Sequence, residues 1–171
     1  IEDIANSLRT FIPSPALTPG RLNIFNFKKF KVLIDFAHNP AGYEAIEDYL
    51  KNVESPKKIG IISGVGDRRD ENIRERGKIA GRMFDHIIIR NEKYLRGRTE
   101  EEINAHVIGG MQESGRDLSY EIIPKEIDAL KHAMSLAEEN TFITALSDVI
   151  SNKNDLVQEY QNKEILEDGH P

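Results

Sequence analysis

Residues 30–42, FKVLIDFAHNPAG, decide the fold, because an apolar run ends there in a polar cluster followed by an Asn-Pro step. The run is apolar enough to form a buried central strand. Pro40 suits the first turn of a helix, where its missing N–H is not needed. Apolar residues then recur at helical spacing and form one stripe: Ile46, Tyr49, Leu50 and Val53. The stretch therefore predicts a strand, a polar loop and a helix, and LNIF just before it predicts a hairpin partner for the strand.

The same unit recurs along the rest of the chain. The predicted strands KKIGIISG, HIIIR, SYEII and TFITAL are separated by three helical patterns. Their apolar faces are Ile73, Gly77, Ala80 and Phe84; Ile103, Val107 and Met111; and Ile127, Leu130, Met134 and Ala137. Gly77 and Ala80 are expected to let their helix approach the sheet closely, and Thr99 with Glu102 predicts a capping box. The α/β alternation predicts a Rossmann-like three-layer sandwich: a mostly parallel sheet with helices on both faces and an N-terminal hairpin.

Composition excludes several classes of protein. The 171 residues include 23 basic and 29 acidic side chains, and the net charge of −6 argues against nucleic acid as a partner. No apolar run approaches the length that crosses a bilayer, so no membrane partner is predicted. The absence of cysteine excludes disulfides and thiolate metal sites, and it fits a cytoplasmic location.

The first residues predict a junction between domains. The chain begins at Ile1, residues 2–10 predict a short helix, and TFIPSPALTPGR contains three prolines within seven residues. We expect residues 1–19 to be the end of a preceding domain and a proline-rich linker. Residues 20–171 are then the domain itself.

Polar loops follow the predicted strands, and ligands of open α/β sheets bind outside the carboxyl ends of strands. In SGVGDRRD, Gly64 and Gly66 resemble part of a dinucleotide fingerprint, but Arg69 stands where the third glycine would be. The loop is therefore either a tight turn whose Asp67 starts the helix, or a pocket rim that includes Asp67 and Arg68. In DFAHNPAG, Asp35 or Asn39 either forms an Asx turn or belongs to a site with His38.

The segment LRGR offers a further anion site. Arg96 and Arg98 flank a glycine and could converge on one carboxylate or phosphate, although a solvated basic turn has the same spacing. No metal site is predicted, since His106, His132 and His170 lack partners at ligand spacing. Ser14 and Ser63 likewise lack the company of a nucleophilic triad.

Taken together, TPGRLN, DFAHNPAG, GDRRD and LRGR resemble, in order and spacing over residues 1–146, the C-terminal domain of the Mur ligase superfamily. Within it, the pattern R-x-x-x-x-x-R-G-R at residues 90–98 looks most like the cyanophycin synthetase family. The resemblance implies an ATP-dependent amide ligase that forms an acyl phosphate. In that family it implies attachment of arginine to the aspartate side chains of a poly-aspartate backbone.

The resemblance also implies roles for individual residues. Arg21 matches an arginine that reaches the nucleotide phosphates during catalysis, and Asp35 matches an aspartate that contacts the ribose. His38 and Asn39 match positions that line the nucleotide, with His38 also at the reaction centre. Arg96 or Arg98 matches a position that holds the carboxylate of the incoming amino acid, beside the rim formed by Asp67 and Arg68.

The same resemblance implies an incomplete enzyme. The P-loop and the Mg²⁺ ligands of the superfamily lie in a central ATPase domain, which is expected as a partner in the same longer chain. The proline linker would be the hinge between the two, and an oligomer is compatible with the sequence. Two alternatives stay open: a peptidoglycan or folylpolyglutamate ligase domain and, from another class, a flavodoxin-like or receiver-type signalling module.

Overall fold

The structure is a computed structural model, and it describes residues 17–92, 95–146 and 151–168. The predicted helix over residues 2–10, and most of the predicted proline linker, lie outside the described residues. Within them, none of the helices has both the length and the apolar character needed to cross a bilayer.

Six strands and five helices make up the described part of the chain. The strands are β1 (Asn23–Asn26), β2 (Phe30–Asp35), β3 (Lys58–Ile62), β4 (His86–Ile89), β5 (Ser119–Ile122) and β6 (Thr141–Leu146). The helices are α1 (Pro40–Lys51), α2 (Asp70–Met83), α3 (Glu100–Gln112), α4 (Glu126–Ser135) and α5 (Ser151–Asp168).

The strands form one sheet in the order β1-β2-β6-β3-β4-β5. β1 pairs with β2 in antiparallel fashion, which confirms the predicted hairpin, and every other pairing between the described strands is parallel. The last strand, β6, enters between β2 and β3, which follow one another along the chain. The predicted α/β sandwich with a mostly parallel sheet is confirmed.

Helices cover both faces of the sheet because alternate strand residues point to opposite sides. Leu33 and Ile87 pack with α1, α2 and α3 on one face, where Tyr43, Ile73 and Val107 are buried. The opposite face holds a second cluster that packs against α4 and α5: Val32, Ile61, Ile88, Leu130 and Val157. The three-layer prediction is therefore correct.

Two details of the predicted helices were wrong. A Cβ atom on Gly77 would lie 2.3 Å from the carbonyl oxygen of Val107, so Gly77 permits close approach to α3 and not to the sheet. On α4 the fully buried residues include Ala129 and Ala133, whereas the predicted Ile127 and Met134 are only half-buried. The buried face of α4 is therefore rotated from the predicted one. Small alanines, which carry little hydrophobic signal, face the sheet.

Candidate functional site

The predicted site residues lie at the carboxyl end of the sheet. β6 separates β2 from β3 in the sheet, so the chain leaves β2, passes through α1 and returns two strand positions away. Crevices at such points are the usual ligand sites of open α/β sheets. The loop after β2 meets the loop after β3 and the end of β4 around a small cavity of about 10 Å³, whose lining includes His38, Ser63 and Arg90.

Asp35, the last residue of β2, is buried and holds two segments of backbone together. Its Oδ2 accepts a hydrogen bond from the backbone N–H of Leu22 at 2.9 Å, and its Oδ1 accepts from the N–H of Ala37 at 2.8 Å. The second bond is the predicted Asx-type turn. Each oxygen keeps a further lone pair, so the carboxylate can still accept from a ligand hydroxyl.

The turn before β1 is built around Asn23, a fully buried side chain that sequence reasoning did not select. Its amide oxygen accepts from the N–H of Gly20 at 2.5 Å and from Asn154 Nδ2 at 3.1 Å. Its amide nitrogen donates to the carbonyl oxygens of Thr18 at 2.9 Å and of Arg21 at 3.1 Å. The turn needs this support because Gly20 and Leu22 both have positive φ, and such backbone is strained for leucine.

This turn presents Arg21 to solvent beside the loop after β2. The guanidinium carbon lies 4.8 Å from the centre of the Phe36 ring, a cation–π contact. The ring of Phe36 meets that of His38 edge-on, with centroids 5.1 Å apart. His38 Nδ1 lies 3.0 Å from the carbonyl oxygen of Phe36, which can only accept, so Nδ1 carries the proton in the uncharged ring and Nε2 carries the lone pair.

Asn39 caps helix α1. Its Oδ1 accepts from the N–H of Gly42 at 2.8 Å, and Pro40 occupies the first turn as predicted. The helix N-terminus therefore opens into the same crevice as Arg21. Its N–H groups and its dipole favour a negative charge there.

The residues predicted to bind the nucleotide line one pocket of about 210 Å³. Arg21, Asp35, His38 and Asn39 all contribute to it, and most of the remaining wall is apolar: Leu22, Phe36, Ala37, Ala45, Ile46 and Tyr49. The structure thus brings these four residues together. Because the pocket is smaller than a typical small-molecule site, it can hold only part of a nucleotide.

Three of the other predicted residues meet at the start of α2. Arg98 Nη1 donates to the carbonyl oxygen of Arg68 at 3.2 Å, and Asp67 Oδ1 lies 3.7 Å from Arg68 Nε. The two loops touch because Gly66 has no side chain: a Cβ there would lie 2.5 Å from the carbonyl oxygen of Leu95. Arg96, the fourth, is exposed at the tip of its loop with φ near 55°.

The guanidinium of Arg98 lies between two carboxylates. Nη2 is 2.6 Å from Asp70 Oδ1, and Nε donates to Glu102 Oε1 at 2.8 Å. Burial works against its charge, but these hydrogen bonds outweigh burial and raise the pKa of Arg98. Arg98 thus fixes its loop to α2 and α3, while Arg96 is the arginine presented to solvent.

The prediction that His106 lacks partners was wrong. Its Nε2 lies 3.4 Å from Asp70 Oδ2, and Asp70, Glu102 and His106 place their ligand atoms within 4.8 Å of one another. Glu102 and His106 are four residues apart on α3, a spacing that could have signalled the contact. The cluster already holds a positive charge, because the guanidinium of Arg98 forms salt bridges with both Asp70 and Glu102.

Sequence reasoning also missed a buried group of charges that connects the residue after β4 with α4 and α5. Glu126 Oε1 lies 3.1 Å from Arg90 Nε and 2.9 Å from Lys153 Nζ. Lys153 is 1% exposed and Arg90 is 3% exposed. Of these three residues, only Arg90 belongs to a motif that the sequence analysis recognised, as the first residue of the R-x-x-x-x-x-R-G-R pattern.

The chain matches known proteins in both sequence and fold. The family described as Mur ligase, glutamate ligase domain, matches residues 20–148. Cyanophycin synthetase of Trichormus variabilis is 38% identical over 151 residues, which are 88% of this chain and 17% of that protein. The cyanophycin synthetase of a Synechocystis species is 36% identical over 158 residues, 92% of this chain and 18% of that protein. The chain thus spans less than a fifth of the length of these relatives.

Solved structures share the fold at lower identity. The Escherichia coli FolC complex with DHPP and ADP has a TM-score of 0.67 and 18% identity, over 92% of this chain and 38% of that one. Folylpolyglutamate synthase of Mycobacterium tuberculosis with ADP and AMPPCP has a TM-score of 0.63 and 23% identity, over 82% of this chain and 32% of that one. The family match overturns the signalling-module alternative. The chain belongs to the family of Mur ligase, glutamate ligase domains.

Proposed function

We propose that the chain is the C-terminal domain of a cytoplasmic, ATP-dependent amide ligase of the cyanophycin synthetase type. The ligase would join arginine to the aspartate side-chain carboxylates of a poly-aspartate backbone. The single observation that carries the proposal is the convergence of Arg21, Asp35, His38 and Asn39 on one pocket at the carboxyl end of β2. Identity above 35% to cyanophycin synthetases, over about nine-tenths of this chain, supports this choice within the family.

In this proposal the pocket is half of a nucleotide site. ATP would supply the phosphoryl group that activates the substrate carboxylate, and its Mg²⁺ would be bound mainly by a central ATPase domain of the same longer chain. Residues 1–19 would be the end of that domain and the hinge, and residues 20–171 would close onto it. Closure of this kind excludes water from a reactive intermediate.

The residues of this chain would act by binding and positioning. Arg21, exposed and always charged, is suited to donate to phosphate oxygens when the pocket closes. Asp35 would accept from ribose hydroxyls through its remaining lone pairs. The Nε2 lone pair of His38 could accept a proton at the reaction centre, and the α1 N-terminus capped by Asn39 would favour the anionic group.

The second cluster would form the edge of the amino-acid site. Arg96 is the better candidate for the carboxylate of the incoming arginine, because Arg98 is already held by Asp70 and Glu102. Asp67 and Arg68 would line the rim beside it. Substitution of Arg96 by alanine is then expected to raise the KM for the amino acid, whereas substitution of Arg98 loosens the loop.

The test uses the full-length protein with ATP, arginine and a poly-aspartate primer, and it measures ADP release. Arg21→Ala is expected to lower kcat on the order of 100-fold, as for loss of one preorganised donor to a reacting group. The melting temperature should stay unchanged, because the Arg21 side chain is exposed. Lys131→Ala, which removes an exposed cation on α4, should leave both quantities unchanged.

The amino-acid specificity is tested in the same assay. ADP release that depends on arginine supports the proposal. Release that depends on glutamate or diaminopimelate, with no response to arginine, would instead assign the chain to a folylpolyglutamate or peptidoglycan ligase. Wild-type kcat in Arg21→Ala would remove the nucleotide assignment for this pocket.

A further inference from the structure

Another depression lies at the opposite end of the sheet from the pocket. It has a volume of about 630 Å³ and lies between the β1–β2 turn, the end of α1 and the start of β6. We call it the lysine groove, and its lining includes Lys28, Lys29, Lys31, Asn52 and Asn140. Nothing in the proposed nucleotide chemistry uses it.

The lysine groove is basic in a chain whose net charge is −6. Lys29 and Lys31 are exposed, and Glu54 is the acidic residue among those that line the groove. Lys29 lies on a turn closed by the hydrogen bond from the Phe27 N–H to the Phe30 carbonyl oxygen at 2.9 Å and by the stacked rings of these two residues, with centroids 4.4 Å apart, and Lys31 lies on β2. Charges on a fixed turn lose little freedom when they bind a partner.

The remaining lining suits a polypeptide. Asn26, Asn52 and Asn140 offer side-chain amides, which can both donate to and accept from peptide groups. Ile24 is 37% exposed and adds an apolar contact on the same face of the sheet. A polyphosphate can accept hydrogen bonds from the amides but has no N–H group to donate to them and no apolar atoms to contact Ile24, whereas an acidic peptide has both.

The lysine groove also leads toward the nucleotide pocket. Tyr49 lines both depressions. Leu22, in the turn just before β1, borders the pocket, and Ile24 and Asn26 border the groove at alternate positions of β1. β1 is the edge strand of the sheet, with no strand beyond it among the described residues, and α5 contacts it at the turn, where Gln161 Nε2 donates to the carbonyl oxygen of Asn26 at 2.6 Å.

We propose that the lysine groove binds an extended acidic polypeptide, with its carboxylates on Lys29 and Lys31. One end of the bound polypeptide points toward the pocket that contains Arg21. This orientation rests on the proposed function, whereas the binding itself does not. The groove would then hold an acidic polymer substrate by aspartates other than the one at the reaction centre.

The experiment titrates this chain into a fluorescein-labelled oligo-L-aspartate at low salt and measures anisotropy. The double variant Lys29→Gln/Lys31→Gln is expected to weaken binding at least about fivefold, from two exposed ion pairs of ordinary strength. The control Lys125→Gln/Lys131→Gln removes the same charge from α4 and the residue that precedes it, neither of which lines the groove, and should change the affinity by less than about twofold. Equal losses in the two double variants would overturn the site, because they would mean attraction by overall charge alone.

A second variant tests the groove without touching a lysine. Ile24→Glu places a carboxylate inside the groove and should weaken binding to a similar degree, with thermal unfolding as the check on its fold. Inorganic polyphosphate is the competing probe, and tighter binding of polyphosphate than of oligoaspartate at equal charge would overturn the peptide assignment. The binding assay contains no ATP and the ADP-release assay scores the nucleotide site, so failure of the nucleotide proposal and failure of this one give different results.

Discussion

Two buried polar side chains, Asn23 and Asp35, hold the turn that presents Arg21. Asn23 uses both its donor and its acceptor groups within that turn, and Asp35 ties Leu22 to the end of β2. Asp35 therefore has a structural task in addition to its proposed contact with the ribose. Its replacement by alanine would mix the two effects, which is why Arg21 is the cleaner test.

Asn23→Ala is expected to lower the free energy of unfolding by about 2–3 kcal/mol, because several buried hydrogen bonds lose their partner at once. The measurement is urea unfolding followed by circular dichroism. Asn26→Ala is the matched control: it lies on the same strand, its side chain is exposed, and it should change stability by less than about 0.5 kcal/mol. Equal stability of the two variants would mean that the turn does not depend on Asn23.

At the scale of residues, the sequence predicted which residues start and cap helices better than it predicted which side chains contact each other. Pro40 starting α1 and Thr99 capping α3 follow from local backbone chemistry, so their prediction succeeded. The partners Asn154 of Asn23 and Asp70 of His106 are distant in sequence, and spacing does not reveal them. The other partners, Gly20, Thr18 and Arg21 of Asn23 and Glu102 of His106, are within five residues, but a turn or helix spacing alone does not show that the side chains meet. The assignments of Arg21, Asp35, His38 and Asn39 to the nucleotide stay predictions.

Helices α2 and α3 pack closely through glycines. A Cβ atom on Gly110 would lie 1.9 Å from the carbonyl oxygen of Arg74, and one on Gly77 would lie 2.3 Å from that of Val107. Both obstacles are backbone atoms, which cannot turn away as a side chain can. The contact sets the distance between the loops that carry Arg68 and Arg98.

Gly110→Ala is expected to destabilise the protein by about 2 kcal/mol or more, because the helices must separate. The neighbouring Gly109→Ala is the control, since the nearest atom to its Cβ would be Arg74 Nη1, the far end of a flexible side chain. It should be neutral, or stabilising by up to about 1 kcal/mol from helix propensity. Thermal unfolding of both variants distinguishes close packing from propensity, and equal effects would contradict the packing argument.

A salt bridge joins α1 to α2 and makes stability depend on pH. Arg82 donates to Glu47 from Nε at 2.7 Å and from Nη2 at 2.9 Å. The hydrogen bond from Arg82 lowers the pKa of Glu47 below its usual 4.5, against an opposing effect of burial. Because the pKa is lower in the folded state, the ion pair stabilises the protein above pH 4.5, and that contribution is lost as the pH falls through the folded value.

Glu47→Gln is therefore expected to lower the free energy of unfolding by about 0.5–1 kcal/mol at neutral pH, the range for a partly exposed pair. The difference from the wild-type chain should shrink below the usual pKa of 4.5. Urea unfolding at a series of pH values measures it. A difference that stays constant down to strongly acidic pH would show that the carboxylate is not the group responsible.

At the scale of elements, hydrophobic periodicity predicted which segments are helices and strands, but not what each helix faces. The apolar stripe that contains Gly77 on α2 has the same spacing whether the helix packs against a sheet or against another helix. The face of α4 is made of alanines, so the larger Ile127 and Met134 gave a misleading direction. Helix α5 escaped prediction because its apolar residues are few and its burial depends on the rest of the fold.

At the scale of the whole molecule, the carboxylate of Glu126 connects elements that are far apart in the sequence. Glu126 belongs to α4, Arg90 follows β4, and Lys153 belongs to α5, so one side chain connects three parts of the chain. The ion pairs are largely withdrawn from water. Removal of one member of such a group usually destabilises a protein more than loss of an exposed salt bridge.

Glu126→Gln is expected to lower the free energy of unfolding by about 3 kcal/mol, because two buried cations lose a shared counter-charge. Asp128→Asn on the same helix is exposed and should change stability by less than about 0.5 kcal/mol. Hydrogen exchange on the Glu126→Gln variant should show faster exchange in α5 than in α3. Uniform protection across both helices would contradict the joining role.

At this scale the class of fold was predictable and the strand order was not. Alternating strands and helices imply a parallel sheet, but they do not say that β6 lies between β2 and β3. That order depends on which buried faces fit together, and the sequence pattern holds no record of it.

The central place of β6 has a consequence for synthesis of the chain. β6 alone connects the β1–β2 hairpin to the β3-β4-β5 group among the described strands. A nascent chain that has emerged only as far as α4 therefore holds two incomplete sheets, each with an apolar edge open to other chains. Emergence of Thr141–Leu146 from the ribosome is then the event that closes the sheet, and rare codons or stalling just before this segment would lengthen the period of exposure to aggregation.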